Sequence, residues 1–165
     1  MRYPWVFLLV PLGANSALAD DDDDDERVRA PGRARTPTNP TYTSECGSCH
    51  YAFPPGLLPG ASWAALMKDL PHHFGDDATL AEPTRTKVEA WLVANAASAR
   101  ADAAVPLRIT ETRAWRHEHD EIPASWAKDP AVRSLANCPA CHTGASRGSF
   151  REGEIRIPCR GSWDD

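Results

Sequence analysis

Two short stretches with the same pattern constrain this chain more than any other feature of its sequence. Residues 46–50 (CGSCH) and 138–142 (CPACH) each contain two cysteines separated by two residues and followed at once by a histidine. Two thiols at this spacing can each add to one vinyl group of a single porphyrin, and the adjacent histidine is then directed at the iron. We therefore predict two covalently attached c-type haems. The predicted attachment residues are Cys46, Cys49, Cys138 and Cys141, and the predicted proximal iron ligands are His50 and His142.

Cysteine pairs of this kind have two other uses. A repeated CxxC pair at long spacing can hold zinc, and a single CxxC pair can exchange thiols and disulfides. Neither use requires a histidine directly after the second cysteine, and here both copies have one. The pattern therefore favours haem, and Cys159 is left over. We interpret Cys159 as a partly buried free thiol, with an intermolecular or redox-sensitive thiol as the alternative.

The first 19 residues are typical of a secretory signal peptide. Arg2 precedes an apolar run from Val6 to Leu12, and residues 17–19 (ALA) place small side chains at the positions that a signal peptidase reads. The run is shorter than the roughly 20 residues that cross a bilayer. We therefore predict cleavage before Asp20 rather than an uncleaved anchor. The expected location is the periplasm, and the cleaved protein is not expected to be embedded in a membrane.

The next stretch, residues 20–40, is expected to be an acidic, disordered tail. The run Asp20–Asp25 repels itself and buries no apolar surface. A docking arm for a basic partner, or a loose cation site, is the alternative. We assign residues 41–158 to the dihaem domain and residues 159–165 to a C-terminal tail. The formal net charge of -5 argues against nucleic-acid binding, which needs a basic face.

Proline content and apolar spacing predict a mainly α, loop-rich fold with little sheet. The 15 prolines among 165 residues predict short helices joined by stiff loops, packed around the two haems. The predicted helices cover residues 44–52, 62–71, 84–97 and 132–142. Residues 105–130 are expected to be irregular, and residues 155–158 to form a brief extended piece.

Each haem iron also needs a sixth ligand or an open face. Four histidines outside the motifs are available in two close pairs, namely His72, His73, His117 and His119. His73 lies 23 residues after His50, and each could share an iron. His119 lies 23 residues before His142 in the same way, although the opposite pairing is also sterically possible. Met67 belongs to an apolar helical stripe and is interpreted as core rather than as a ligand.

Two further groups could contact the haems. An apolar strip within residues 51–58 is expected to lie next to the first haem and to exclude water. The larger side chains that could pack on or pair with a porphyrin are Trp63, Trp91, Trp115, Trp126, Arg108, Arg147 and Arg151. Ordinary core packing is an equal expectation for each tryptophan.

Six blocks of sequence carry a resemblance to a known family. They are ECGSCHYAFPPGLLP at 45–59, HFGDDATL at 73–80, RIT at 108–110, HDEIPASW at 119–126, NCPACHTGASRGSF at 137–150 and IRIP at 155–158. On these blocks, which span nearly all of residues 41–158, the chain resembles the small periplasmic dihaem cytochromes c of the DHC family. The acidic run and Cys159 depart from that pattern.

The resemblance implies two haems with bis-histidine ligation, in which His73 and His119 are the distal ligands and His72 and His117 are only their neighbours. It also implies an electron carrier rather than an enzyme. Its expected partners are a membrane b-type cytochrome and a soluble periplasmic haem protein. The alternative is a small haem enzyme or gas-binding protein with one open iron site, which two spare distal histidines argue against.

Overall fold

The structure, a computed structural model, describes residues 38–98, 105–158 and 160–162. The predicted signal peptide, most of the acidic tail and Cys159 lie outside these residues. The longer elements in the described ranges are the helices α1 (Pro40–Cys46), α2 (Gly60–Lys68), α3 (Thr84–Ala94) and α4 (Arg113–Glu118), and the strands β1 (Arg156–Ile157) and β2 (Gly161–Ser162). This confirms the mainly α, loop-rich class with little sheet. No helix within the described ranges is long and apolar enough to cross a membrane.

Single turns of 3-10 helix supply most of the remaining regular structure. They cover Pro55–Leu57, Leu70–His72, Ile109–Glu111, Ala124–Lys128, Cys138–Ala140, Ala145–Arg147 and Glu152–Glu154. Such turns are short because their hydrogen bonds are poorly aligned. They fit a chain in which proline interrupts most longer helices.

Helix α1 carries the first motif cysteine at its last residue. Asn39 caps it, and the Asn39 side chain accepts a hydrogen bond from the Tyr42 backbone N–H at 3.0 Å. Pro40 follows as the first helical residue, a position where its missing N–H costs nothing. The predicted helix over residues 44–52 is therefore wrong at both ends. Because α1 ends at Cys46, the rest of the motif is free to curve around a bound group.

Helices α2 and α3 pack against each other and build the main core. The core cluster consists of the buried residues Tyr42, Leu58, Trp63, Met67, Leu70, Val88, Leu92 and Ile109. Met67 is only 4% exposed, which confirms its interpretation as core. Both helices lie where the apolar spacing predicts them, but α2 ends before Pro71 and α3 ends at Ala94.

The second half of the chain departs further from its prediction. A helix over residues 132–142 is wrong, since only Cys138–Ala140 forms a 3-10 turn there. Arg133 has a φ of 63°, which no α-helix accommodates, and Pro139 has no N–H to donate.

Helix α4 forms inside the stretch that was predicted to be irregular. The Thr112 hydroxyl caps it by accepting the Trp115 backbone N–H at 3.1 Å. The extended piece predicted at residues 155–158 is confirmed as β1, which pairs antiparallel with β2.

Candidate haem sites

At the first motif, the rings of His50 and His73 face each other. Their centroids are 6.1 Å apart, and their planes differ by 18°. The Nδ1–H of His50 donates to the Tyr51 carbonyl at 2.8 Å, which leaves Nε2 as the nitrogen that can bind a metal. Two imidazole nitrogens that bind one metal from opposite sides, at about 2.0–2.1 Å each, lie about 4 Å apart, which puts the ring centres about 6 Å apart. The observed spacing fits one iron between the two rings.

His73 is presented by a tight turn that follows the 3-10 helix Leu70–His72. The Phe74 N–H donates to the His72 carbonyl at 2.8 Å, and Phe74 adopts the left-handed region with a φ of 56°. The Nδ1 of His73 is buried, and it has no hydrogen-bond partner in the part of the chain that the structure describes. Burial and the nearby His50 lower the pKa of His73. The ring is therefore neutral at pH 7, the form that binds metals.

Aromatic side chains contact both histidines of the first site. Phe53 lies 5.3 Å from His50, and Phe74 lies 4.9 Å from His73, both measured between ring centroids. The Arg108 guanidinium sits 4.0 Å from the centre of the Phe74 ring, so it covers that ring from the outside. The position of Phe53 agrees with the expected apolar strip beside the first motif.

At the second motif, His119 and His142 are brought together in a different orientation. Their ring centroids are again 6.1 Å apart, but their planes differ by 65°. His119 is the C-cap residue of α4, and its Nδ1–H donates to the Trp115 carbonyl at 2.9 Å. The Trp115 indole stacks on the same imidazole at 4.4 Å and 7°. Here too, the spacing fits a single metal between the rings.

A cavity of about 1200 Å³ opens beside the second motif. Sites for drug-sized ligands occupy about 300–1,000 Å³, so this volume suits a group as large as a porphyrin. The residues that line it include Cys138, Cys141, His142, His119, Trp115, Ile109, Val132, Phe150 and Leu57. Leu57 belongs to the strip that was expected beside the first haem, and the fold instead turns it toward the second motif.

The motif cysteines are thiols rather than disulfides. Burial raises the pKa of both Cys46 and Cys138 to about 11, so both are protonated at neutral pH. Across residues 38–98, 105–158 and 160–162, no group of three or more histidine, cysteine or acidic side chains could hold a metal ion.

The two motifs are joined through Tyr51. The Tyr51 hydroxyl donates to the Ala145 carbonyl at 2.8 Å, across 94 residues of sequence. The Ala145 N–H in turn donates to the His142 carbonyl at 2.9 Å. Burial raises the pKa of Tyr51 to about 12, so its hydroxyl keeps its proton. No sequence pattern pointed to this link, because nothing local relates residues so far apart.

We expect Tyr51→Phe to destabilise the protein by about 1 kcal/mol, the usual net value of one such hydrogen bond. The Ala145 carbonyl still accepts the Gly148 N–H at 2.8 Å, so it is not left without a partner. Denaturant unfolding measures the loss. Amide exchange should also become faster at Ala145 and Gly148.

Tyr42→Phe is the matched control for this change. It removes a hydroxyl that donates to the Phe53 carbonyl at 2.8 Å, entirely within the first half of the chain. We expect Tyr42→Phe to leave exchange at Ala145 unchanged. Equal exchange at Ala145 in both variants would contradict the assigned role of Tyr51.

The remaining sequence candidates are placed as follows. His72 is exposed and pairs with Asp69 at 2.7 Å, and His117 is exposed on α4. Arg147 pairs with Glu154 at 3.4 Å. The pairing of Arg108, Arg147 and Arg151 with haem propionates stays a prediction.

Comparison with known proteins points in the same direction. The family model described as dihaem cytochrome c matches residues 42–150. A dihaem cytochrome c from Shewanella baltica OS155 is 41% identical, with a TM-score of 0.69, and the match covers 78% of this chain and 99% of that chain.

Two structures from Rhodobacter sphaeroides are also similar. One, a dihaem cytochrome c, is 45% identical with a TM-score of 0.64, and the match covers 71% of this chain and 100% of that chain. The other, described as DHC, is 47% identical with a TM-score of 0.61, and the match covers 70% of this chain and 99% of that chain. No curated protein matched the chain.

Proposed function

The chain belongs to the dihaem cytochrome c family, and on that basis we propose that it carries single electrons outside the cytoplasm on two haems that are each closed by two histidines. Membership implies an electron-transfer haem protein with two covalently bound c-type haems. In the proposal, Cys46 and Cys49 attach the first haem, and Cys138 and Cys141 attach the second. The ligand pairs are His50 with His73 and His119 with His142.

The observation that carries this proposal is the matching distance at the two motifs. Each motif histidine has one other histidine with its ring centre at 6.1 Å. The other two spare histidines, His72 and His117, are exposed. This arrangement favours pairing within each half of the chain over the crossed pairing that the sequence left open.

A bound haem supplies an iron that gains or loses one electron. The histidine pairs would hold that iron. Phe53 and Phe74 contact the histidines of the first site, and Trp115 contacts His119 at the second, so these rings would orient the ligands. An iron with both axial positions filled by protein suits electron transfer better than chemistry on a small molecule.

The proposed setting is the periplasm, between a membrane b-type cytochrome and a soluble haem protein. The support comes from the secretory character of residues 1–19 and from the family resemblance, which covers nearly all of residues 41–158. The chain is the middle carrier in this scheme.

Carbon monoxide tests the closed-site proposal directly. We expect the haem-loaded protein to contain two haems per chain by pyridine haemochrome absorption. When the reduced protein is exposed to carbon monoxide, its spectrum should not change, because both axial positions are filled. Rapid stoichiometric binding at one haem would instead support the haem enzyme or gas-binding alternative.

A further inference from the structure

We propose that Trp115 is a positioning residue that fixes the ring plane of His119 and so makes the two irons electronically different. This inference rests on the proposed bis-histidine ligation. It goes beyond that proposal because it assigns the orientation of one ligand ring to a residue outside the ligand set, whose indole stacks on that ring and is the part that a substitution removes.

Trp115 restrains the His119 ring in two independent ways. The Trp115 carbonyl accepts the His119 Nδ1–H at 2.9 Å, which fixes the direction of that nitrogen. The Trp115 indole stacks on the imidazole at 4.4 Å with only 7° between the planes, which fixes its rotation. A ligand histidine held through its second nitrogen keeps one tautomer and one orientation.

Trp115 is itself held firmly enough to act as a template. Its backbone N–H donates to the Thr112 hydroxyl at the start of α4, at 3.1 Å. Its indole packs against the core cluster, of which Ile109 is the nearest member in sequence. The plane of His119 is therefore set by the packing of α4 on the core rather than by the motif.

The first site has one backbone hydrogen bond of this kind, from His50 to the Tyr51 carbonyl, but neither Phe53 nor Phe74 lies flat on an imidazole there. His73 meets Phe74 edge-on, at 4.9 Å and 62°, and its buried Nδ1 has no hydrogen-bond partner among the described residues. The His50 and His73 rings are nearly parallel at 18°, whereas the His119 and His142 rings cross at 65°. The two candidate sites thus differ in an angle that depends on the plane of His119, which Trp115 holds, as well as on the plane of His142.

This angle has an electronic consequence for low-spin ferric iron. Parallel imidazole planes donate π density to the same iron d orbital, which separates the d orbitals in energy and gives three well-resolved g values. Crossed planes donate to two different d orbitals, which leaves them nearly equal in energy and gives one very large g value. Second-shell contacts to an axial ligand are one of the means by which a protein tunes a haem.

Electron paramagnetic resonance of the oxidised, haem-loaded protein tests the inference. The native protein should show two low-spin signals, one rhombic and one with a much larger maximum g value. In Trp115→Leu, the large-g signal should shift toward a smaller maximum g value, while the rhombic signal stays in place. Trp115→Phe, which keeps an aromatic ring on the imidazole, should retain the large-g signal.

Trp91→Leu is the matched control. It removes another half-buried indole that packs on the core cluster, through a ring contact with Tyr42 at 5.1 Å. Both signals should stay unchanged in this variant. If Trp115→Leu does not load two haems, Trp115→Met replaces it, because the flexible methionine fills irregular space. The same shift is then expected.

Two results would overturn the role of Trp115. The first is a native protein with two rhombic signals of the same shape. The second is a large-g signal that persists unchanged in a Trp115→Leu or Trp115→Met variant carrying two haems. An iron with an open face, which would contradict the underlying proposal of two histidines per iron, looks different because it gives a high-spin ferric signal in the native protein.

Discussion

Replacing His119 by alanine is expected to open one of the two irons to carbon monoxide while the other stays closed. The alanine removes the only imidazole that the described structure places 6.1 Å from the His142 ring. The space that the missing imidazole leaves next to the iron gives a small ligand room to bind. The reduced variant should bind one carbon monoxide per chain, and the native protein none. Its large-g ferric signal should be lost.

His117→Ala is the control for this variant. His117 lies two residues before His119 on the exposed surface of α4, so its removal tests whether any nearby histidine would serve. We expect His117→Ala to leave both irons closed. Carbon monoxide binding in His117→Ala, or its absence in His119→Ala with two haems loaded, contradicts the assignment.

The first site allows the same comparison between a candidate ligand, His73, and its exposed neighbour, His72. His73→Ala should open the first iron, whereas His72→Ala should not, because the His72 side chain is 81% exposed and bonds Asp69. In His73→Ala, the rhombic signal should disappear and the large-g signal should remain. This opposite pattern links each signal to one motif.

Replacing Cys138 and Cys141 together by serine is expected to lower the haem count from two to one and to destabilise the second half of the chain. That half buries few large side chains of its own, the main ones being Val132 and Ile157. A group that fills the adjoining cavity therefore supplies much of its core. We expect a loss of about 4–5 kcal/mol, a value that single-site changes reach only through mechanisms such as the loss of a bound metal group or a large cavity in the core. Pyridine haemochrome absorption and thermal unfolding measure the two effects.

The matched change at the first motif, Cys46→Ser with Cys49→Ser, should remove the other haem at a smaller loss of stability. Helices α2 and α3 keep their mutual packing there through Val88 and Leu92, which are at most 1% exposed. A larger loss of stability in the first-motif variant than in the second-motif variant would contradict the structural role given to the second haem.

Helices α2 and α3 could be predicted from the sequence because the pattern that indicates them is local. Apolar residues repeat every three to four positions in α2 and α3, and this local periodicity alone predicts a helix with one buried face. Helix α4 was not predicted because its six residues are too few to show such a period. The helix predicted at residues 132–142 was wrong because Arg133 has a left-handed backbone and Pro139 has no N–H, and neither is visible in the apolar spacing.

Covalent chemistry is local, and so the sequence by itself determined the two haem attachment motifs, their adjacent histidines and the short set of further histidines that could complete each iron. Only the tertiary structure decided which of these meet, because His50 and His73, or His119 and His142, approach each other through the folding of intervening loops. It also decided the 18° and 65° ring angles. The orientation of a ring plane depends on the side chains packed around it, and the spacing of residues in the sequence does not determine that packing.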